Sequence, residues 1–431
     1  MMKLYKYPQV SEWKSLCERP LQNQENLSEQ VKSVFEEVKI NGDKALKFYT
    51  EKFDRVLLDD FKVSEVEIEE AKKLVSDELK SAIKIASENI RKFHTSQQEE
   101  KKIIETTEGV FCWRESRVIE NIGIYIPGGT APLFSTVLML GIPANIAGCK
   151  NIILCSPPDK NGKINPAILF TANLIGIKNI FKVGGSQAIA ALTFGTETIP
   201  KVDKIFGPGN QYVTTAKQLA LNYNVAIDIP AGPSEVLVMA DKTSIPEFVA
   251  SDLLSQAEHG TDSQVILLSN SETIINEINI EIEKQLADLP RKEIAKIALE
   301  NSKSILLSSI NEAVEFSNYY APEHLILAIE NAENLTDKIT NAGSVFLGNY
   351  SPESAGDYAS GTNHTLPTNG FAKNYSGVSL DSFVKKITFQ NITKTGIKNL
   401  GKTIELMAEA EELIAHKNAV SIRLKSLENE N

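Results

Sequence analysis

Five histidines are present in the 431 residues, and four of them, His259, His324, His364 and His416, lie in the C-terminal half beside other polar side chains. In the string SQAEHG, Gln256 and His259 stand three apart, which places them on one face of a helix ending near Gly260. An amide oxygen and an imidazole at that spacing can bind one metal ion. Equally, a histidine at a helix end can simply complement the negative pole of the helix dipole. Pro322-Glu323-His324 sets a carboxylate beside an imidazole, the pairing used for general-base work. Adjacent side chains in a regular strand point to opposite faces, so a shared task needs loop or strand-end geometry. The alternative is an exposed Glu next to a half-buried His. Residues 351–368, SPESAGDYASGTNHTLPT, contain no apolar run and read as a functional loop outside the core. Within them Asp357 is a candidate metal ligand or a turn former. Glu411 and His416 are five apart, roughly 140° around a final helix, so they could line a cleft without sharing a face. Gln256, His259, Asp357 and His416 make up a borderline-soft N/O set that suits Zn²⁺. Nothing in their spacing brings the four together.

The elements that must position these groups come in two textures. The first hundred residues read as helical: Val31, Val34, Phe35 and Val38 repeat at helical spacing before Asn41-Gly42, and a second run extends from about Glu65 to Lys92. Residues 102–120 turn strand-like around Val110, Phe111 and Trp113. From Asn121 onward short apolar runs alternate with helices near 134–148, 165–174, 186 onward and 211–222. The runs are GIYIP, NIILC, NIFKV, KIF and AIDIP, and the pattern resumes with VLVMA, VILLS, SILLS, HLILA and SVFLG. Strands alternating with helices predict βαβ units and two α/β units with mostly parallel sheets. The loops Pro127-Gly128-Gly129, Gly184-Gly185, Gly207-Pro208-Gly209 and Ala231-Gly232-Pro233 close strands at the carboxyl ends, where open α/β sheets bind ligands. A long charged helix from about Asn399 to Leu427 closes the chain.

Composition narrows the function classes. A net charge of −11 without a basic stripe argues against nucleic acid. The longest apolar stretch, Leu133 to Cys149, is interrupted by Ser135, Thr136, Pro143 and Asn145 and falls short of a membrane span. The N-terminus has no secretory apolar core. Cys17, Cys112, Cys149 and Cys155 show no CxxC pair and read as reduced structural thiols in the cytoplasm. GxGxxG, Walker A and HExxH patterns do not occur, so a dinucleotide would rest on the Gly-rich loops and helix N-termini.

The strings GIYIPGGTAPLFSTVLMLGIPANIAGC, VGGSQAIAALTFGTETIPKVDKIFGPGNQYVTTAK, DIPAGPSEVLVMAD, DLLSQAEH, APEHL and YSPESAGDYASGTNHTLPTNG together resemble the histidinol dehydrogenase family. The resemblance runs from about residue 26 to His416. Two positions depart from the family pattern, Thr130 where Ser is common and Gly260 where an acidic residue often follows the His.

The resemblance implies an NAD-dependent oxidoreductase that oxidises L-histidinol through L-histidinal to L-histidine, the last step of histidine biosynthesis, with one Zn²⁺ per subunit and two NAD⁺ reduced. By the same resemblance Gln256, His259, Asp357 and His416 would be the zinc ligands. Glu323 and His324 would be the acid–base pair, and Tyr125, Gln187 and Asn210 would contact NAD. Ser234 and Glu411 would join the metal ligands and His324 around the substrate. The implied fold is α/β, with two incomplete Rossmann-like domains and small helical N- and C-terminal extensions. Its implied boundaries are 1–25 for the N-terminal extension, 26–128 with 237–378 for the first domain, 129–236 for the NAD-binding domain, and 379–431 for a helical domain reaching the partner of a homodimer. Glu411 and His416 would then serve the other subunit's site. Two rival readings are a zinc hydrolase using the same metal set with Glu323 as base and no dinucleotide, and a non-catalytic α/β binding protein, which would keep the Gly-rich loops but would not need the Glu323-His324 pair or the four ligand-type side chains.

Overall fold

The computed structural model describes residues 2–20, 25–128, 132–230 and 232–429. Gly129, Thr130 and Ala231, named above, lie outside the described residues. The strands, in chain order, are β1 (Lys3–Lys6), β2 (Ile103–Thr107), β3 (Val110–Val118), β4 (Asn121–Tyr125), β5 (Asn151–Ser156), β6 (Asn179–Lys182) and β7 (Lys204–Phe206). They continue as β8 (Ala226–Ile227), β9 (Glu235–Ala240), β10 (Gln264–Ser269), β11 (Lys303–Leu306), β12 (His324–Ala328), β13 (Ser344–Leu347) and β14 (Val384–Ile392). The chain divides into two compact units, residues 1–97 with 119–383 and residues 98–118 with 384–431.

The larger unit holds two parallel sheets. One has the order β6-β5-β4-β7-β8, which in its own numbering is 3-2-1-4-5, the Rossmann order lacking its last strand. The other runs β1-β11-β10-β9-β12-β13 and repeats that winding, with β1 added alongside β11 at the edge. All the apolar runs read from the sequence are strands here.

The crossover helices of the first sheet are apolar on every side: Phe134–Ala147 buries Ser135 through Ala144, and Gly185–Phe194 buries Ser186 through Thr193. A helix hydrophobic all round needs cover on its outer face as well as against the sheet. The N-terminal helices supply it. Val31, Val34, Phe35 and Val38 of helix Glu25–Asn41 cluster with Ala188–Leu192, while Ile83, Ala86 and Ile90 of helix Asp77–Thr95 cluster with Val137–Leu140. This packing departs from the expected boundaries: residues 25–95 go with the β4–β8 sheet, not with 237–378. Burying those two amphipathic stripes is the reason. The single helical run expected over 65–92 is two helices, Glu65–Leu74 and Asp77–Thr95, the second capped by the Ser76 hydroxyl.

The smaller unit corrects two further expectations. It is not purely helical, because β14 pairs antiparallel with β3, which pairs with β2, so the 98–118 hairpin belongs with the C-terminal segment. Its final helical stretch is two helices, Lys394–Ala410 and Ile414–Glu428, broken where Glu412 takes a left-handed conformation (φ 60°). Glu411 and His416 therefore flank a turn instead of sharing one helix. Both are exposed. No helix among the described residues is long and apolar enough to cross a membrane.

Candidate active site

Glu323 and His324 occupy the amino end of β12, the strand-end geometry their pairing requires. His324 Nδ1 lies 3.7 Å from Glu323 Oε2, and both residues are buried. The neighbouring strand fixes them. In the parallel register His324 pairs with Val236, so the head of β9 faces both residues. The Glu235 N–H donates to Glu323 Oε2 at 2.9 Å, and the Glu235 carbonyl lies 3.4 Å from His324 Nδ1. His324 Nε2 lies 3.5 Å from Asp357 Oδ1 and has no hydrogen-bond partner among the described residues.

The 351–368 segment is not a loop outside the core. It opens with a short helix, Glu353–Tyr358, and buries Glu353, Asn363, Thr365 and Thr368. Four-residue spacing puts Glu353 and Asp357 on one helix face. Glu353 Oε1 lies 3.8 Å from His324 Nδ1, and single ligand-type atoms of His324, Glu353 and Asp357 all fall within 4.8 Å of one another. The rest of the segment is anchored to helix Phe134–Ala147: His364 meets the Thr136 hydroxyl at 3.0 Å, and Asn363 donates to the Met139 carbonyl at 2.6 Å.

Burial and charge work against each other in this cluster. Burial pushes the Glu323 and Glu353 carboxyls up to about 8. It acts downward on His324, but the Glu353, Glu323 and Asp357 carboxylates prevail and raise the imidazole to about 10. Burial also opposes ionisation of Asp357, yet His324 holds it below the ordinary carboxylate range. Three carboxylates around one imidazole form a buried, acid-rich pocket that favours a cation.

Of the expected zinc ligands, the larger unit carries three. Gln256 ends helix Pro246–Ala257, which packs against the Glu353–Tyr358 helix. It is fully buried, and neither of its polar side-chain atoms has a hydrogen-bond partner among the described residues. Such an orphaned amide is costly unless something else takes its oxygen. His259 lies just past the helix end, exposed, within electrostatic reach of Asp357 and His324. The amide oxygen, imidazole and carboxylate thus fit a zinc ion chemically. The fourth expected ligand, His416, and the expected substrate contact Glu411 lie in the smaller unit.

The expected dinucleotide contacts gather at the carboxyl ends of β4 and β7, where the first sheet's winding reverses and α/β sheets bind such ligands. Tyr125 ends β4, and its hydroxyl accepts the Gly185 N–H at 3.1 Å at the start of helix Gly185–Phe194. Burial keeps this phenol neutral by raising its pKa. Gln187, in that helix's first turn, is buried with Oε1 unpartnered among the described residues. Asn210 is exposed and caps helix Gln211–Ala220, its Oδ1 accepting from the Tyr212 and Val213 N–H groups. Gly207 takes φ +125° against the Tyr125 carbonyl, where a Cβ would collide. The loop is held by a buried ion pair. Lys217 pairs with Asp228 and donates to the Gly207 carbonyl at 2.8 Å, while Asp228 accepts the Gly207 N–H at 2.7 Å.

In the second sheet Glu323 and His324, the expected acid–base pair, sit at the amino end of a strand, contrary to the carboxyl-end expectation. The reason is connectivity. β8 of the first sheet and β9 of the second are consecutive strands, so the carboxyl end of one is followed in the chain by the amino end of the other, where half-buried Ser234 lies. Glu353, Glu235 and Arg19 escaped the sequence reading. Glu353 was signalled by its spacing to Asp357, and Glu235 by a lone charge heading an apolar strand; nothing marked Arg19. Burial pushes the Cys149 and Cys17 thiols up to about 12 and Cys155 higher still, which makes them poor nucleophiles, and no disulfide occurs among the described residues.

The family model for histidinol dehydrogenase matches residues 17–424. The histidinol dehydrogenase of Bacteroides thetaiotaomicron is 59% identical over 427 residues, covering 99% of this chain and 100% of the relative. That of Bacteroides fragilis is 58% identical over 426 residues, with 99% and 100% covered. The crystal structure of histidinol dehydrogenase from Elizabethkingia anophelis superposes with a TM-score of 0.98 at 70% identity, covering 99% of each chain.

Proposed function

The chain belongs to the histidinol dehydrogenase family, an NAD-dependent oxidoreductase family, and on that premise we propose that it oxidises L-histidinol through L-histidinal to L-histidine at a site built on Glu323, His324 and a zinc ion. The observation that carries the residue roles is the buried pair at the head of β12, clamped by Glu235, beside the unpartnered Gln256 amide. Zn²⁺, held by Gln256, His259, Asp357 and His416, would supply a redox-inert Lewis acid that anchors the substrate, with NAD⁺ as hydride acceptor.

The chain's own groups do the proton work. His324, whose Nε2 lies 3.5 Å from Asp357 Oδ1, takes the alcohol proton as hydride leaves when its imidazole is in the neutral form, and the surrounding carboxylates stabilise the imidazolium so formed. Glu323, with its carboxyl lifted by burial to about 8, exchanges protons near neutrality and can activate the water that attacks the aldehyde. The raised thiol pKa values argue against Cys17, Cys149 or Cys155 as the nucleophile in that second step. Tyr125, Gln187 and Asn210 would border the dinucleotide at the first sheet's switch point, and Ser234 the substrate. Glu411 and His416 would complete the site of the other subunit in a homodimer working in the cytoplasm.

The test is NADH formation from L-histidinol, two per histidine, with a chelator control. Glu323→Gln should impair histidinal oxidation more than the first hydride transfer, and His324→Ala should slow proton-removing steps by roughly 10²–10⁴-fold. Equal damage to both half-reactions in Glu323→Gln would contradict this division of labour. Substrate hydrolysis without NADH would instead favour a zinc hydrolase.

A further inference from the structure

Resting on the acid–base reading of Glu323 and His324, we propose that Arg19 and Glu235 are positioning residues that aim this pair. The Glu235 backbone holds both members, its N–H bonding Glu323 and its carbonyl facing His324. Its side chain is almost wholly enclosed and is committed on both oxygens. Oε2 accepts from Arg19 Nε at 2.8 Å, and Oε1 accepts the Asn369 N–H just beyond the 351–368 segment that carries Glu353 and Asp357. One carboxylate therefore ties the head of β9 to the N-terminal segment and to the polypeptide bearing the acidic groups.

Arg19 acts on the other approach to the pair. Its guanidinium lies 4.0 Å from the centre of the Tyr320 ring and donates to the Tyr320 carbonyl at 2.9 Å and the Ala321 carbonyl at 3.4 Å. Ala321 adopts a left-handed conformation (φ 57°), unfavourable for a residue with a Cβ, two positions before Glu323. A planar fork that binds a carboxylate on one edge and two consecutive carbonyls on another locks this bend relative to β9. Lysine, a point charge, cannot do both. Neither residue reaches the reacting atoms; both act through Glu323 and His324.

The test compares Glu235→Gln, Arg19→Lys and Arg19→Met with Glu323→Gln in the full-length zinc-loaded enzyme. Misplacing a catalytic group by about 1 Å can cost on the order of 10²-fold. Folded Glu235→Gln should therefore lose about 10- to 100-fold in kcat for histidinal oxidation. KM for NAD⁺ should stay within about twofold, since that site belongs to the other sheet. Arg19→Lys should retain more kcat than Arg19→Met. Adding Glu235→Gln to Glu323→Gln should cost clearly less than the product of the two single losses, because the part of its effect that runs through Glu323 is already gone. Wild-type kcat in folded Glu235→Gln, or losses that multiply fully in the double variant, overturns the proposal. If Glu235→Gln does not fold, Arg19→Lys carries the same test, and wild-type kcat there overturns it. A fully active Glu323→Gln would remove the acid–base reading itself. An active Glu235→Gln beside an impaired Glu323→Gln would remove only the positioning role.

Discussion

Replacing Lys217 with Met should destabilise the larger unit far more than a surface change could. Lys217 and Asp228 have side-chain exposures of 2% and 0%, so neither charge is solvated, and together they satisfy both backbone polar groups of Gly207. Lys217→Met leaves the Asp228 carboxylate buried and uncompensated and strips the Gly207 carbonyl of its donor. Breaking a buried pair from one side costs about 3–5 kcal/mol. That is a large part of the roughly 5–15 kcal/mol typical of a folded protein. Asp228→Asn should cost a similar amount by stranding the ammonium. The double variant Lys217→Met/Asp228→Asn removes both charges, while the new amide can still accept the Gly207 N–H, so it should return to within about 2 kcal/mol of the parent. Urea unfolding followed by far-ultraviolet circular dichroism measures all four corners of the cycle. Because the clamp shapes the loop leading to Asn210, folded single variants should also raise KM for NAD⁺ several-fold. Single losses below about 1 kcal/mol, or a double variant equal to the sum of the singles, would refute the reasoning.

Three further outcomes follow from the site. His259→Ala should lose bound zinc and nearly all turnover while the fold persists, and full zinc occupancy by metal analysis would sink the ligand assignment. Refolding a mixture of inactive His259→Ala and His416→Ala chains should restore roughly a quarter of wild-type activity per site if sites are shared across a dimer, because half the dimers are mixed and half their sites carry no lesion; verified mixed dimers without rescue would place the site within one chain. Asp252, on helix Pro246–Ala257, has its pKa raised by burial from 3.8 to about 7. The folded protein therefore holds this proton more tightly than the unfolded chain, and stability falls as pH rises from about 4 through 7. Asp252→Asn should remove a penalty of at most about 4 kcal/mol at pH 8 and change little at pH 4, and equal gains at both pH values would contradict the assignment.

Strand runs were legible because burial on both faces leaves an uninterrupted apolar signature, as in VLVMA and HLILA. Glu323-His324 was legible because adjoining carboxylate and imidazole groups stand out in a chain with five histidines. Layering was not. That helix Phe134–Ala147 is apolar on all sides implied an outer cover, but which segment supplies it depends on contacts between residues as distant as Ile83 and Leu138. Glu353 was hidden by polarity, since a segment without an apolar run was read as solvent-facing although its polar groups are buried against one another and against helix Phe134–Ala147. Arg19 could not have been found from spacing. Its partners lie 216 and 301 residues away.

The pairing of β1 with β11 sets a timetable for synthesis. Residues 3–6 wait for residues 303–306, whereas the β4–β8 sheet and the helices covering it are complete by residue 227. At ~5–20 residues per second, the N-terminal segment spends about 15–60 s unpartnered after it emerges, alongside a sheet that can already fold. Arg19 shares that delay, because Glu235 and Tyr320 both come later in the chain. Glu323 and His324 thus gain the Arg19–Glu235 contacts only when the segment around Arg19 meets residues 216 and 301 positions later, so a nascent chain cut before β12 carries the complete β4–β8 sheet without the assembled cluster.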